Sequence, residues 1–206
     1  MSGNSSWANP APAGLAALAI ACFTFYAILT GKVAGTAAPL LGCWIIGGFV
    51  VQVIVGLIEL SEGAVTGGNV FLVFSAFFML VGGIEFFVKF YSAKVTGLAV
   101  DTRIDGWAWM VLWFVLWLWT PSYFKGPLVM TILVLALDVA VPLVSLTDGG
   151  WIPKAQYSPI AGTFLLISGI CGIYMSAAIV LNTEFKKVVL PVGGPLIKPV
   201  AAKIEQ

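Results

Sequence analysis

Three acidic side chains and one amide stand inside long apolar runs of this sequence, and they are the residues best placed to do chemistry. Gln52 and Glu59 share one apolar run, whereas Glu85 and Asp138 lie in two others. A polar or ionisable side chain is costly in hydrocarbon, so such residues face protein or a polar path. The carboxylates of Glu59, Glu85 and Asp138 are therefore candidates for carrying a proton, and Gln52 is a candidate for binding.

The composition limits what this chemistry can be. Hydrophobic residues make up 60% of the 206 residues, charged residues 9%, and the mean hydropathy is +1.05. Such a chain has too little charge to cover a water-facing surface and is typical of an integral membrane protein. The net charge of +1 gives no basic surface for nucleic acid. Histidine is absent and the three cysteines are scattered through apolar runs, so we expect no metal site, no cofactor and no enzyme.

The apolar runs predict the elements that must position these side chains. A helix needs about 20 apolar residues to cross a bilayer. Six runs approach that length, which predicts an all-α membrane protein, a bundle of six transmembrane helices. The predicted spans are 14–30, 38–60, 70–91, 105–123, 127–147 and 159–182. The chain then divides into an N-terminal segment 1–13, a six-helix domain 14–182 and a C-terminal tail 183–206.

The second predicted helix has one polar face. Gly48, Gln52, Gly56 and Glu59 follow the helical period, while the remaining positions are mostly large and apolar. This face is either a tight contact between helices with Gln52 bonded across it, or the wall of a pathway. Spacing alone leaves both interpretations open.

The other two acids have competing interpretations as well. Glu85 precedes Lys89 by four residues, which favours an ion pair near the end of a span over a role in a pathway. Asp138 precedes Pro142 by four residues, so the ring of Pro142 leaves the Asp138 carbonyl without its helical donor. That arrangement indicates either a functional site or a protonated carboxyl bonded to a neighbouring helix.

Two further patterns indicate how the helices face their surroundings. Trp109, Trp113 and Trp117 recur every fourth residue, which predicts a lipid-facing stripe on the fourth helix. Ser168 and Gly172 belong to a stripe of small residues on the sixth helix, which predicts close packing against another helix.

Three motifs in chain order resemble the acetate uptake transporter family. The stretch "NPAPAGL" from Asn9 to Leu15 is similar to the family's Asn-Pro-Ala-Pro-Leu-Gly-Leu signature. Gln52, Gly56 and Glu59 match its Gln-x-x-x-Gly-x-x-Glu pattern, and "LNTEFKKVVLP" at 181–191 is similar to its closing segment. The match runs over nearly the whole chain, although Ala13 replaces the first leucine of the signature.

The resemblance implies a multi-pass protein of the plasma membrane that carries acetate and related small carboxylates such as succinate, by proton symport or channel-like passage. It implies a homohexamer in which each protomer has its own pore. Six spans put both termini on the same side of the membrane, and the lysine-rich tail favours the cytoplasmic side. The family's pore is narrowed by a Phe, a Tyr and a Leu, which an ungapped reading places at Ile46, Phe74 and Leu137. The motif residues expected along the substrate path are Asn9, Pro10, Ala11, Pro12, Gln52 and Glu59.

Two other functions stay open at this stage. An apolar narrowing made by Ile46, Phe74 and Leu137 also suits a small neutral solute or ammonia. A membrane sensor that keeps the fold without transporting anything is the third alternative. Measured flux of acetate against a neutral solute separates the first two functions, and the absence of any flux indicates the third.

Overall fold

The computed structural model describes residues 7–98 and 100–198, and every regular element in this part of the chain is helical. The helices are α1 (Ala11–Leu29), α2 (Ala38–Ser61), α3 (Val65–Phe74), α4 (Gly82–Tyr91), α5 (Arg103–Tyr123), α6 (Leu128–Asp148) and α7 (Lys154–Glu184). The π-helical turn Ser75–Val81 joins α3 to α4, and a second π-helical turn, Ser92–Thr96, follows α4. We call this continuous segment the third span (Val65–Thr96).

Six helical segments are therefore long enough to cross a bilayer, as predicted. Within the described residues, five combine that length with high hydropathy: Ala11–Leu29, Gly35–Ser61, Val65–Thr96, Leu128–Asp148 and Lys154–Glu184. The sixth segment is α5, which has 21 residues and is rich in tryptophan, a residue that favours the membrane interface. The predicted bundle of six spans is confirmed.

The third span begins before the predicted residue 70, because Gly67 and Gly68 lie inside α3. A Cβ at Gly68 would lie 3.0 Å from the Gly56 carbonyl oxygen, and a Cβ at Gly67 would overlap the Glu59 carboxylate. Gly68 thus lets the backbones of α2 and α3 come close together. Helix α1 also begins earlier than predicted, at Ala11, because Pro12 falls in its first turn, where proline is tolerated.

The six spans form a closed bundle. Extensive packing joins them in the order α5, α6, α7, α1, α2 and third span, and sparse contacts between α3 and α5 complete the circle. We call the face at which α1 begins the N-terminal face. Since the spans alternate in direction, α2, α5 and α7 end at this face, whereas α3 and α6 begin there.

The predicted stripe of small residues on the last helix packs against α1. Gly169 lies against Cys22, and a Cβ at Gly172 would lie 3.3 Å from the Leu15 carbonyl oxygen. Ser176 Oγ donates a hydrogen bond of 2.9 Å to the Pro12 carbonyl oxygen. Small side chains therefore bring α1 and α7 into close contact, as expected for helices that associate in lipid.

The segment after α7 folds back onto the N-terminal face. Asn182 Oδ1 accepts hydrogen bonds from the N–H groups of Val189 (2.7 Å) and Leu190 (3.0 Å), and its Nδ2 donates to the Leu190 carbonyl (2.9 Å). Further along, Val192 O accepts from Val129 N–H, and Ile197 N–H donates to Phe124 O. The described part of the tail is thus tied to the α5–α6 connection by backbone hydrogen bonds.

Candidate functional site

A cavity of about 370 Å³ runs through the middle of the bundle. All six spans contribute to its lining, which reaches from Asn9 and Pro127 at the N-terminal face to Val144 near the far end of α6. The α6 residues on the wall recur at helical spacing, namely Met130, Leu133, Val134, Leu137, Val141 and Val144. One face of α6 therefore follows the cavity for most of the helix.

The bundle core consists of two hydrophobic clusters that meet inside the bundle. One is built around Ile45 and Met79, the other around Leu116 and Leu133. Four partly buried residues pack against both clusters and also line the cavity: Leu18 of α1, Phe74 of α3, Trp109 of α5 and Leu137 of α6. We call these four residues the central junction, because they connect the two clusters at the cavity wall.

The central junction includes two of the three residues expected to narrow a pore, Phe74 and Leu137. The third, Ile46, lies elsewhere: a Cβ at Gly83 would lie 2.5 Å from its Cγ1, so Ile46 packs against α4 and is not part of the cavity wall. Leu18 of α1 lines the cavity beside Phe74 and Leu137 instead. Sequence reasoning missed Leu18, although it follows Leu15 and precedes Cys22 and Phe25 at the spacing of one helical face.

The polar face of α2 is a helix contact, as the first interpretation predicts, and it also forms part of the cavity wall. Gln52 is 2% exposed and its Nε2 donates a hydrogen bond of 3.1 Å to the Gly14 carbonyl oxygen of α1. Its Oε1 is buried with no hydrogen-bond partner among the described residues. Gln52 lines the cavity, and two turns further along α2 so does Glu59, which is 8% exposed.

The N-terminal face supplies the other polar groups of the wall. Asn9 and Ala11 line the cavity, and Asn9 Oδ1 accepts a hydrogen bond of 2.9 Å from the Ala11 N–H at the start of α1. Tyr123, at the end of α5, lines the same half. Pro10 and Pro12 are not part of the wall, and their carbonyl oxygens accept hydrogen bonds from Ala13 N–H and Ser176 Oγ.

Asp138 faces α5 and is not part of the cavity wall, although its neighbour Leu137 is. Thr120 Oγ1 donates a hydrogen bond of 3.1 Å to its Oδ1. The carbonyl freed by Pro142 accepts a hydrogen bond of 2.9 Å from Trp117 Nε1. The carboxyl is thus bonded to a neighbouring helix, as the second of the two interpretations predicts, and its protonation stays a prediction.

Glu85 lies at the opposite end of the bundle, outside the cavity wall. Lys89 Nζ lies 3.1 Å from Glu85 Oε2, the ion pair that their spacing predicts, and it also contacts the buried carboxylate of Asp105 at the start of α5. Lys89 thus links the third span to α5 where helix packing is sparse.

A separate ion pair lies where the preceding loop joins α5. Hydrogen bonds from the Arg103 guanidinium lower the pKa of Asp101 to about 2.

The three tryptophans at four-residue spacing do not share one environment. Trp117 is 48% exposed, which agrees with a lipid-facing position. Trp109 instead lines the cavity and contacts Phe78 edge-on, with ring centroids 5.4 Å apart. The prediction of a lipid-facing stripe is wrong for Trp109. Eight residues of an α-helix make about 2.2 turns, so Trp109 and Trp117 point in directions about 80° apart around α5.

Comparison with known proteins identifies the family. Residues 2–194 match the sequence profile of the GPR1/FUN34/yaaH family. The succinate-acetate/proton symporters SatP of Escherichia coli K12 and Shigella flexneri are each 28% identical over 193 residues, which is 93% of this chain and 98% of the relative. A solved structure of the bacterial acetate channel SatP superimposes with a TM-score of 0.79 and 24% identity, over 91% of this chain and 100% of that one, and shows the same fold. The chain therefore belongs to the GPR1/FUN34/yaaH family.

Proposed function

We propose that this protein carries acetate and related small carboxylates, including succinate, across a cell membrane through the central cavity. The observation that carries the proposal is the cavity itself, which reaches from Asn9 at the N-terminal face to Val144 and is lined by all six spans. The family and the functions printed for the SatP relatives support carboxylates as the substrates. The proposed location is the plasma or inner membrane, with both termini in the cytoplasm and six copies in one assembly.

The central junction is the proposed constriction, with Leu18 taking the place expected for Ile46. Its leucine and phenylalanine side chains offer no charge to replace the hydration of a bare carboxylate, so desolvating the anion there is costly. A carboxylic acid that carries its proton crosses such a surface at a lower cost. The geometry therefore favours movement of acetate together with a proton.

Glu59 is the proposed proton-linked residue. Of the three carboxylates predicted for that role, Glu59 lines the cavity, whereas Glu85 pairs with Lys89 and Asp138 pairs with Thr120. Glu59 also lies in the polar half of the wall, together with Asn9 and Tyr123. A substrate anion that enters from the N-terminal face meets this carboxyl before it reaches the central junction.

Uptake of radiolabelled acetate into proteoliposomes with an imposed pH gradient tests the proposal. Initial rates should exceed those of protein-free vesicles of the same lipid, and unlabelled acetate or succinate should compete. Equal rates with and without protein contradict carboxylate transport. The apolar junction also suits a neutral solute, and in that case uptake of the neutral solute should proceed while excess acetate fails to compete with it.

A further inference from the structure

The central junction carries a single hydrogen-bonding group. Leu18, Phe74 and Leu137 have hydrocarbon side chains, whereas the indole of Trp109 has an N–H that donates and cannot accept. Phenylalanine at position 74 also leaves that position without a hydroxyl group. Trp109 is therefore the one side chain of the central junction that can form a strong hydrogen bond to a solute.

The ring of Trp109 packs against a neighbouring side chain, but its N–H group donates to no acceptor among the described residues. Its ring packs edge-on against Phe78, with an interplanar angle of 63°. Trp117 donates its N–H to the Asp138 carbonyl oxygen, and the buried Trp113 nitrogen has no hydrogen-bond partner in the described part of the chain. No hydrogen bond of the Trp109 nitrogen occurs among the described residues, and Trp109, unlike Trp113, lines the cavity.

We propose that Trp109 recognises the substrate at the central junction by donating its indole N–H to a carboxyl oxygen. This inference rests on the proposed function and adds a residue that sets specificity. A donor without an acceptor binds a carboxylate oxygen or the carbonyl oxygen of the undissociated acid. The N–H gives no hydrogen bond to an ammonium ion, which has no lone pair to accept it.

An isosteric replacement tests the donor without changing the size of the side chain. 3-Benzothienylalanine, in which sulfur replaces the indole N–H, is incorporated at position 109, and the same analogue at position 113 is the matched control, because Trp113 is not part of the cavity wall. The acetate concentration for half-maximal uptake should rise about fivefold at position 109, as expected for loss of one hydrogen bond of about 1 kcal/mol. At position 113 it should stay within twofold of the unmodified protein.

A binding signal that does not depend on transport accompanies the flux assay. The protein is labelled with 5-fluorotryptophan, and the fluorine resonance of Trp109 is identified by its loss in Trp109→Phe. Acetate should shift this resonance in a saturable manner, and the resonance of Trp113, identified in the same way, should stay in place.

The outcomes separate this inference from the proposed function. Half-saturation at position 109 within twofold of the unmodified protein, or an equal rise at positions 109 and 113, overturns the role of Trp109 while carboxylate transport stands. If the unmodified protein gives no flux above empty vesicles, the proposal of carboxylate transport fails, and the fluorine resonance of Trp109 tests substrate recognition by itself. A saturable shift of this resonance with acetate then supports recognition of the carboxylate by Trp109, and the absence of a shift overturns that recognition.

Discussion

Replacing Gly67 with alanine tests how closely the packing of α3 holds the Glu59 carboxyl in the cavity wall. A Cβ at Gly67 would overlap the Glu59 carboxylate, so that side chain has to leave its place. An alanine in place of a helical glycine normally stabilises by about 0.4–1 kcal/mol. We expect displacement of Glu59 to cancel this gain, so that Gly67→Ala leaves the free energy of unfolding unchanged or lowers it.

Gly47→Ala is the matched control, because a Cβ at Gly47 meets no atom within 4 Å. This variant should gain the full 0.4–1 kcal/mol, which for a chain of this size raises the Tm by about 1–4 °C. Thermal unfolding in detergent, followed by intrinsic fluorescence, measures both variants. Repeating the pair in a Glu59→Ala background should restore the gain at position 67, with a coupling free energy of about 1–2 kcal/mol between the two sites.

Two results would refute this reasoning. Gly67→Ala could raise the Tm as much as Gly47→Ala does while Glu59 is present, or removing Glu59 could leave the effect of Gly67→Ala unchanged. In either case Glu59 is not held against α3. The same variants link packing to transport, because Gly67→Ala should slow the initial uptake of acetate and Gly47→Ala should not.

Three other substitutions test separate parts of the account. Glu59→Gln should remove the dependence of initial acetate uptake on the imposed pH gradient; a dependence equal to that of the unchanged protein excludes Glu59 as the proton-linked group. Asp138→Asn should leave gradient-driven uptake within twofold, because Asp138 is bonded to Thr120 outside the cavity wall, and abolished accumulation contradicts that placement. Asn182→Ala removes three hydrogen bonds of the returning tail, so limited proteolysis should cut near 189–197 faster than in the unchanged protein; equal cleavage rates show that these bonds do not hold the tail.

The number of spans and the polar face of α2 were predictable from the sequence, because both follow from local patterns. Apolar runs of bilayer length fix the spans, and the period of 3.6 residues puts Gln52 and Glu59 on one side of α2. The partners of that face were not predictable. That Gln52 bonds to Gly14 and that Glu59 lies against Gly67 depends on which helices become neighbours, and hydropathy does not encode this order.

Three predictions about single positions were wrong, and each has a physical cause. The glycine pair Gly67 and Gly68 is typical of a loop, yet both residues lie in α3. A side chain at either position would collide with residues of α2, and the sequence alone does not show this contact. The spacing of Trp109 with Trp117 predicts a lipid-facing position, but Trp109 lines the cavity while Trp117 is exposed, and spacing alone does not tell these two environments apart. Ile46 was placed from a motif read without gaps, and the structure turns it toward Gly83.

Blocking the central junction tests the central claim most directly. Leu137→Trp puts a bulky ring into the cavity at the central junction. Leu135→Trp is the matched control, because Leu135 lies on the same helix, is 43% exposed and is not part of the cavity wall. Initial uptake of radiolabelled acetate is measured in proteoliposomes with equal amounts of folded protein. It should fall to the level of protein-free vesicles for Leu137→Trp and stay near that of the unchanged protein for Leu135→Trp. Undiminished uptake by Leu137→Trp would contradict passage of the substrate through this cavity.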